Sequence, residues 1–144
     1  MAIFQNKVFV STFLGWLIAQ AIKIIINSIR ERRFDFKWFI GTGGMPSAHS
    51  AGAMALATAV GIQEGFNSTI FIVILIVAFV IAFDAQGVRR STGKQAEILN
   101  KILDDIYWRR KIQEDRLAEL IGHTPFEVIV GSAIGIIIAI LVMK

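Results

Sequence analysis

Four apolar runs take up most of a 144-residue chain, and they leave it few ways to fold. Val8 to Ile29 is broken by one charge, Lys23, and Ser47 to Ile62 is shorter and rich in Ala and Gly. Ser68 to Phe83 is almost purely aliphatic and aromatic, and Pro125 to Met143 is the last run. About 20 apolar residues carry a helix across ~30 Å of hydrocarbon. The runs therefore predict an all-α integral membrane domain over 1–144, with about four spans at 8–29, 47–62, 68–83 and 125–143. At 55% hydrophobic residues and a mean hydropathy of +0.63, the chain is too apolar for an ordinary soluble domain. Its start lacks the short apolar core and small-residue cleavage site of a secretory signal, so the first span is expected to be retained.

Charge sets the expected orientation. Of 15 Lys and Arg, four lie in Arg30 to Lys37 and eight in Arg89 to Arg116, while the Gln63 to Asn67 turn has none. The positive-inside rule then places both basic loops, including the loop-helix region 84–123, in the cytoplasm of a multi-pass cell-membrane protein. Nucleic acid is not an expected partner, because Glu97, Asp104, Asp105, Glu114 and Asp115 interrupt the second basic stretch. Without cysteine there is no disulfide, thiolate nucleophile or Cys-ligated zinc. Two histidines are too few for an all-protein zinc site, so no metal or other cofactor is expected, although composition leaves a carboxylate-bound Mg²⁺ open.

Within the spans, polar and small residues fall into helical register. Gln20, Lys23, Asn27 and Arg30 share one face of the first helix. A lysine inside a span costs about 2.5–3.5 kcal/mol, so Lys23 belongs against the bundle interior or a wet cavity unless it snorkels to the headgroups. Ala48, Gly52, Ala55 and Ala59 form a small-residue stripe that predicts a central second helix. Gly131 and Gly135, four apart, suit either an internal contact or a homodimer seam. Residues 93–108 read as an amphipathic helix with Ile98, Leu99, Ile102, Leu103 and Ile106 on one side. Trp108-Arg109-Arg110-Lys111 then resembles a headgroup anchor, and a short helix is expected over 114–121.

Both histidines stand beside a proline where a run begins. His49 follows Gly44, Pro46 and Ser47, with Gly41 and Gly43 upstream. Ser47 is a plausible N-cap, and the same geometry aims backbone N–H groups at an anion. His123 precedes Thr124-Pro125-Phe126-Glu127, a capping-box pattern with Pro at the first helical position. That pattern accounts for Thr124, Pro125 and Glu127 but not for His123. A chemical reading has Glu127 hold one imidazole nitrogen and so present the other as a nucleophile. Arg89 and Arg90, after Asp84 and Gly87, suit bidentate phosphate binding or simple membrane anchoring.

Together these residues resemble the three motifs of the type 2 phosphatidic acid phosphatase superfamily, which includes the vanadium haloperoxidases: Lys-x6-Arg-Pro, Pro-Ser-Gly-His and Ser-Arg-x5-His-x3-Asp. Lys23 is followed at the same spacing by Arg30, with Glu31 in place of the proline. Pro46-Ser47-Ala48-His49 carries Ala for Gly, and His123-x3-Glu127 carries Glu for Asp. Arg116 stands one residue too far from His123, with Asp115 where Ser would be, and Arg89 or Arg90 is the alternative guanidinium. The chain looks like a small, divergent branch of that superfamily.

The resemblance implies a metal-independent hydrolase of a membrane lipid phosphomonoester, phosphatidate-like or phosphatidylglycerophosphate-like, acting at the cytoplasmic face. His123 would become phosphorylated, Glu127 would orient it, and His49 would serve as general acid and then base. Lys23, Arg30, Ser47 and one of Arg89, Arg90 or Arg116 would neutralise the phosphate oxygens, with Asp84, Gly44 and Pro46 in support. One neutral and one protonated imidazole would give a bell-shaped pH–rate curve. The alternative is a non-catalytic lipid-phosphate-binding or assembly protein that keeps the anion site.

Overall fold

The computed structural model describes residues 2–32, 34, 44–86, 95–103 and 123–144. After a short 3-10 turn, Ala2–Gln5, the chain forms α1, Lys7–Glu31. The Asn6 side chain caps α1, accepting from the N–H groups of Val8 (2.9 Å) and Phe9 (3.2 Å). Ser47 caps α2, Ala48–Glu64, and Gly65, at φ 92°, ends it in a conformation that disfavours any side chain. Ser68 then bonds the Gly65 carbonyl through both its backbone N–H and its hydroxyl, closing the turn into α3, Thr69–Gln86. The last helix, α4, is Pro125–Met143, and residues 95–103 are also helical. No strand occurs among the described residues.

The four apolar runs thus become four helices with nearly the expected ends. At the end of α3 the helix runs past the expected boundary, and Asp84 lies on its last turns rather than in the following loop. Ala85 and Gln86 are good helix formers, and the first breaker is Gly87. Two helices, α1 and α4, are long and apolar enough to cross a membrane by length and composition. The apolar stretch of α3, Thr69–Asp84, is shorter, and α2 has 17 residues. Only 33% and 22% of the apolar windows of α1 and α4 are buried, which separates them from the core helices of a soluble protein.

Packing is inverted relative to a water-soluble bundle. The buried set is dominated by Ala19, Ala48, Ala51, Ala55, Ala57, Ala59, Ala78 and Ala139, whereas Phe13, Ile25, Ile76, Phe79, Phe83, Ile129 and Leu141 are exposed. Hydrocarbon gives large apolar groups no reason to hide, so association depends on how closely the backbones approach, which favours small residues inside. Here α1, α2 and α4 form the centre, while α3 packs on α2 and barely reaches α4. A methyl on Gly15 would sit 2.8 Å from Ala55 Cβ and 3.3 Å from the Ala51 carbonyl oxygen. Methyls on Gly131 and Gly135 would run into the carbonyl oxygens of Ser47 and Ala51. Of the two uses open to this glycine pair, the fold takes the internal one. Both are covered by α2 of the same chain.

These contacts fix directions. Ser47 and Ala51 meet Gly131 and Gly135 in order, so α2 and α4 run parallel. Gly44 lies against Lys23 and Asn27 while Gly15 meets Ala55, so α1 runs antiparallel to α2, as α3 does through its short turn. The C-terminal ends of α1 and α3 and the N-terminal ends of α2 and α4 therefore share one end of the bundle. Replacing Gly135 with Val should abolish folded protein or lower its melting temperature in detergent sharply, because overpacking against backbone costs at least about 1–3 kcal/mol. Ala133→Val, two residues away on an exposed face, should leave the melt unchanged.

Candidate functional site

The shared end gathers Lys23, Gly44, Ser47, His49, His123 and Glu127 from three helices. On α1 the polar face turns inward: Gln20 and Lys23 are buried, Lys23 at 2% exposure, and Asn27 is half-buried. Lys23 therefore does not snorkel. Arg30, one turn beyond Asn27, is exposed. Gly44, at φ 81°, packs its backbone on this seam; a methyl there would lie 3.6 Å from Lys23 Cγ and 3.7 Å from Asn27 Nδ2. Glycine is needed here for its positive φ rather than for lack of space.

Ser47 and Pro46 are buried where the loop enters α2. The Ser47 hydroxyl accepts from the Ser50 N–H at 3.3 Å and lies 3.0 Å from the Ser50 hydroxyl, which gives the N-cap expected of it. Its backbone N–H donates to the Glu127 carbonyl at 3.1 Å. That bond ties the start of α2 to the first turn of α4. A carbonyl therefore already occupies that donor.

His123 is buried at 1% exposure just outside α4. Its Nδ1 is 3.2 Å from Glu127 Oε2, and the same oxygen accepts the Thr124 N–H at 2.9 Å. The Thr124 hydroxyl in turn accepts the Glu127 N–H at 3.3 Å, completing the capping box. The two sequence readings of Glu127 are therefore not rivals. One carboxylate oxygen both caps the helix and holds the imidazole. A carboxylate only accepts, so the hydrogen lies on Nδ1 and the neutral ring presents Nε2, also buried, as its lone-pair nitrogen.

His49 lies on the first turn of α2 and is exposed. At 3.6 residues per turn it points about 160° away from Ala51, the residue that faces α4. The two imidazoles thus share an end of the bundle but flank the N-terminus of α2 from different sides. Asp84 is exposed on the last turns of α3. Arg89, Arg90 and Arg116, with Gly41 and Gly43, lie outside the described residues, as do Ile106, the 108–111 anchor and the helix expected over 114–121.

The structure adds polar residues that the motif reading passed over. Ser50 is fully buried on the Ser47 hydroxyl, and Asn100 is buried within helical residues 95–103 while Ile98, Leu99 and Ile102 face outward. For Ser50 the signal was a second small hydroxyl three residues after an N-cap. For Asn100 it was a single amide opposite an apolar face. Among the described residues no cluster of three or more His, Cys, Asp or Glu could hold a metal.

A family model described as the divergent PAP2 family matches residues 4–138. The membrane protein YuiD of Bacillus subtilis strain 168, itself described as uncharacterized, is 36% identical over 151 aligned positions. That alignment covers 97% of this chain and 96% of YuiD. No solved structure matches. The geometry around His123 makes a stability prediction: Thr124→Ala removes the cap hydroxyl and should cost about 1 kcal/mol in reversible unfolding. An unchanged unfolding free energy would mean the capping box does not hold α4.

Proposed function

The chain belongs to the divergent PAP2 family, and on that footing we propose that it is a multi-pass membrane phosphatase of a lipid phosphomonoester. All four helices cross the bilayer in this reading, with the shared end at the cytoplasmic leaflet of the cell membrane, where the basic loops favour it. Phosphatidate-like and phosphatidylglycerophosphate-like lipids are the substrates. The observation that carries the proposal is the buried His123 ring held through Nδ1 by Glu127, a base–orienter pair of the kind that activates nucleophiles.

In the proposed reaction His123 Nε2 attacks phosphorus, forming an N–P bond as the P–O bond to the lipid breaks. His49 gives a proton to the departing alcohol oxygen, then takes one from the water that hydrolyses the phosphohistidine. Inorganic phosphate leaves and His123 is restored. Lys23, buried beside the Gly44 loop, is in this reading the fixed cation that stabilises the charge on the equatorial oxygens. Arg30, the Ser47 hydroxyl and one of Arg89, Arg90 or Arg116 complete that set, with Asp84 and Pro46 supporting the loops. An intramembrane lysine carries a cost that a functional role explains better than packing does. The second reading, a lipid-phosphate binder without turnover, is favoured by one observation: the Ser47 N–H is already bonded to Glu127.

Purified protein in phosphatidylcholine vesicles should release phosphate from phosphatidate, unaffected by EDTA and inhibited by vanadate. The rate should fall on both sides of a maximum between about pH 5 and 8. His123→Ala should lower turnover at least ~10²-fold while phosphatidate still binds. Lys23→Met should lose most of the turnover while phosphatidate still binds, since it removes the charge and nearly keeps the side-chain volume. No phosphate release from any lipid phosphomonoester by the parent protein would leave the binding reading.

A further inference from the structure

In α1 to α4 the large apolar side chains face outward and the small and polar ones face inward, the arrangement that suits hydrocarbon around a bundle. Helical residues 95–103 repeat this inversion outside the four helices. Asn100 is 6% exposed, whereas Ile98, Leu99 and Ile102 are 57%, 49% and 48% exposed. The three aliphatic side chains fall within an arc of about 100°, and Asn100 lies about 160° from Ile102. Glu97 and Lys101 run along one edge of that arc as an exposed ion pair at 2.7 Å. A helix on the surface of a water-soluble protein is turned the other way, with its aliphatic stripe against the core.

Connectivity fixes the level of this helix. Because α3 ends and α4 begins at the shared end, the chain between Gln86 and Pro125 leaves and returns at one surface. Between 89 and 116 it carries eight Lys or Arg and five Asp or Glu, which leaves no stretch for two further spans. The nine helical residues rise only about 13 Å against ~30 Å of hydrocarbon. From Gln86 to Gln95 the chain reaches at most about 30 Å, so the helix stays near the surface where α3 ends.

We propose that helical residues 95–103 lie in the plane of the leaflet at the shared end, with Ile98, Leu99 and Ile102 in the boundary between headgroups and acyl chains. Glu97 and Lys101 then stand at headgroup level, and Asn100 faces the protein. The partner is the phospholipid surface itself. The assignment rests on the reading in which all four helices cross the bilayer, and it adds a membrane contact that does not cross.

The chain has no cysteine, so single nitroxide labels can be placed without background. Full-length protein carrying Glu97→Cys, Ile98→Cys, Leu99→Cys, Lys101→Cys or Ile102→Cys is labelled and reconstituted in phosphatidylcholine vesicles. Relaxation by oxygen is then compared with relaxation by a water-soluble nickel chelate. Labels at 98, 99 and 102 should report a depth of about 5–10 Å below the phosphates, and those at 97 and 101 should be open to nickel. A label from Ile76→Cys, exposed midway along α3, is the reference and should lie deeper than all five. Nickel access at 98, 99 and 102 with position 76 deep overturns the in-plane helix and leaves the four spans. Shielding of those three positions from both oxygen and nickel also overturns it, because protein then covers them. Nickel access at position 76 overturns the spans and the helix together. Depth is read without substrate, so a parent protein that releases no phosphate loses the hydrolase reading and keeps this one. Unsubstituted protein gives a second measurement should a labelled variant fail to fold. Phosphatidylcholine with a diazirine at the glycerol end of its acyl chain should attach to tryptic peptide 95–101; adducts on α3 with none on that peptide overturn the proposal.

Discussion

The approach of α4 to α2, backbone against backbone, is the contact on which the other features depend. Gly131 and Gly135 meet the carbonyl oxygens of Ser47 and Ala51 at a separation that admits no Cβ. In a lipid-like setting this closeness replaces the aliphatic core of a soluble bundle, and the large side chains are free to face outward. It also sets the register of α4 on α2. With that register, the Ser47 N–H reaches the Glu127 carbonyl, and the histidine before α4 arrives at the same end as the histidine on α2.

At that end, one carboxylate oxygen makes both the helix cap and the contact to the imidazole. Glu127 Oε2 accepts both the Thr124 N–H that starts α4 and the Nδ1 of His123. Charge-assisted bonds to a carboxylate are the stronger kind, so the helix start and the imidazole hold each other in place. A residue chosen only to cap α4 would not require a buried ring beside it, and a residue chosen only to orient the ring would not require Thr124. Such sharing suits a chain of 144 residues, which has little room for a separate supporting layer around a site.

Much of this was legible in the sequence because helices in an apolar chain announce themselves by run length and capping residues. Ser47 and Thr124 mark two of the starts. The inward turn of Gln20 and Lys23 followed from helical spacing, and the Glu127–His123 pair from a separation of four residues. What spacing could not reveal was which faces meet. The stripe Gly131–Gly135 reads the same whether it meets a second copy or α2, since small residues suit either contact. Nor could the pattern Pro46-Ser47-Ala48-His49 say that the Ser47 N–H would be claimed by Glu127, or that His49 would point away from α4. Both depend on the rotation of α2 about its own axis, which tertiary packing decides.

The mechanistic proposal turns on which atom receives the phosphoryl group. Rapid acid-free quenching of the protein with phosphatidate labelled at phosphorus, followed by mapping of the labelled peptide, addresses this directly. The account predicts an acid-labile, base-stable label on the His123 peptide, still formed in His49→Ala, where hydrolysis of the intermediate is slowed. Label on His49, on a carboxylate, or on no residue while phosphate is released would contradict it.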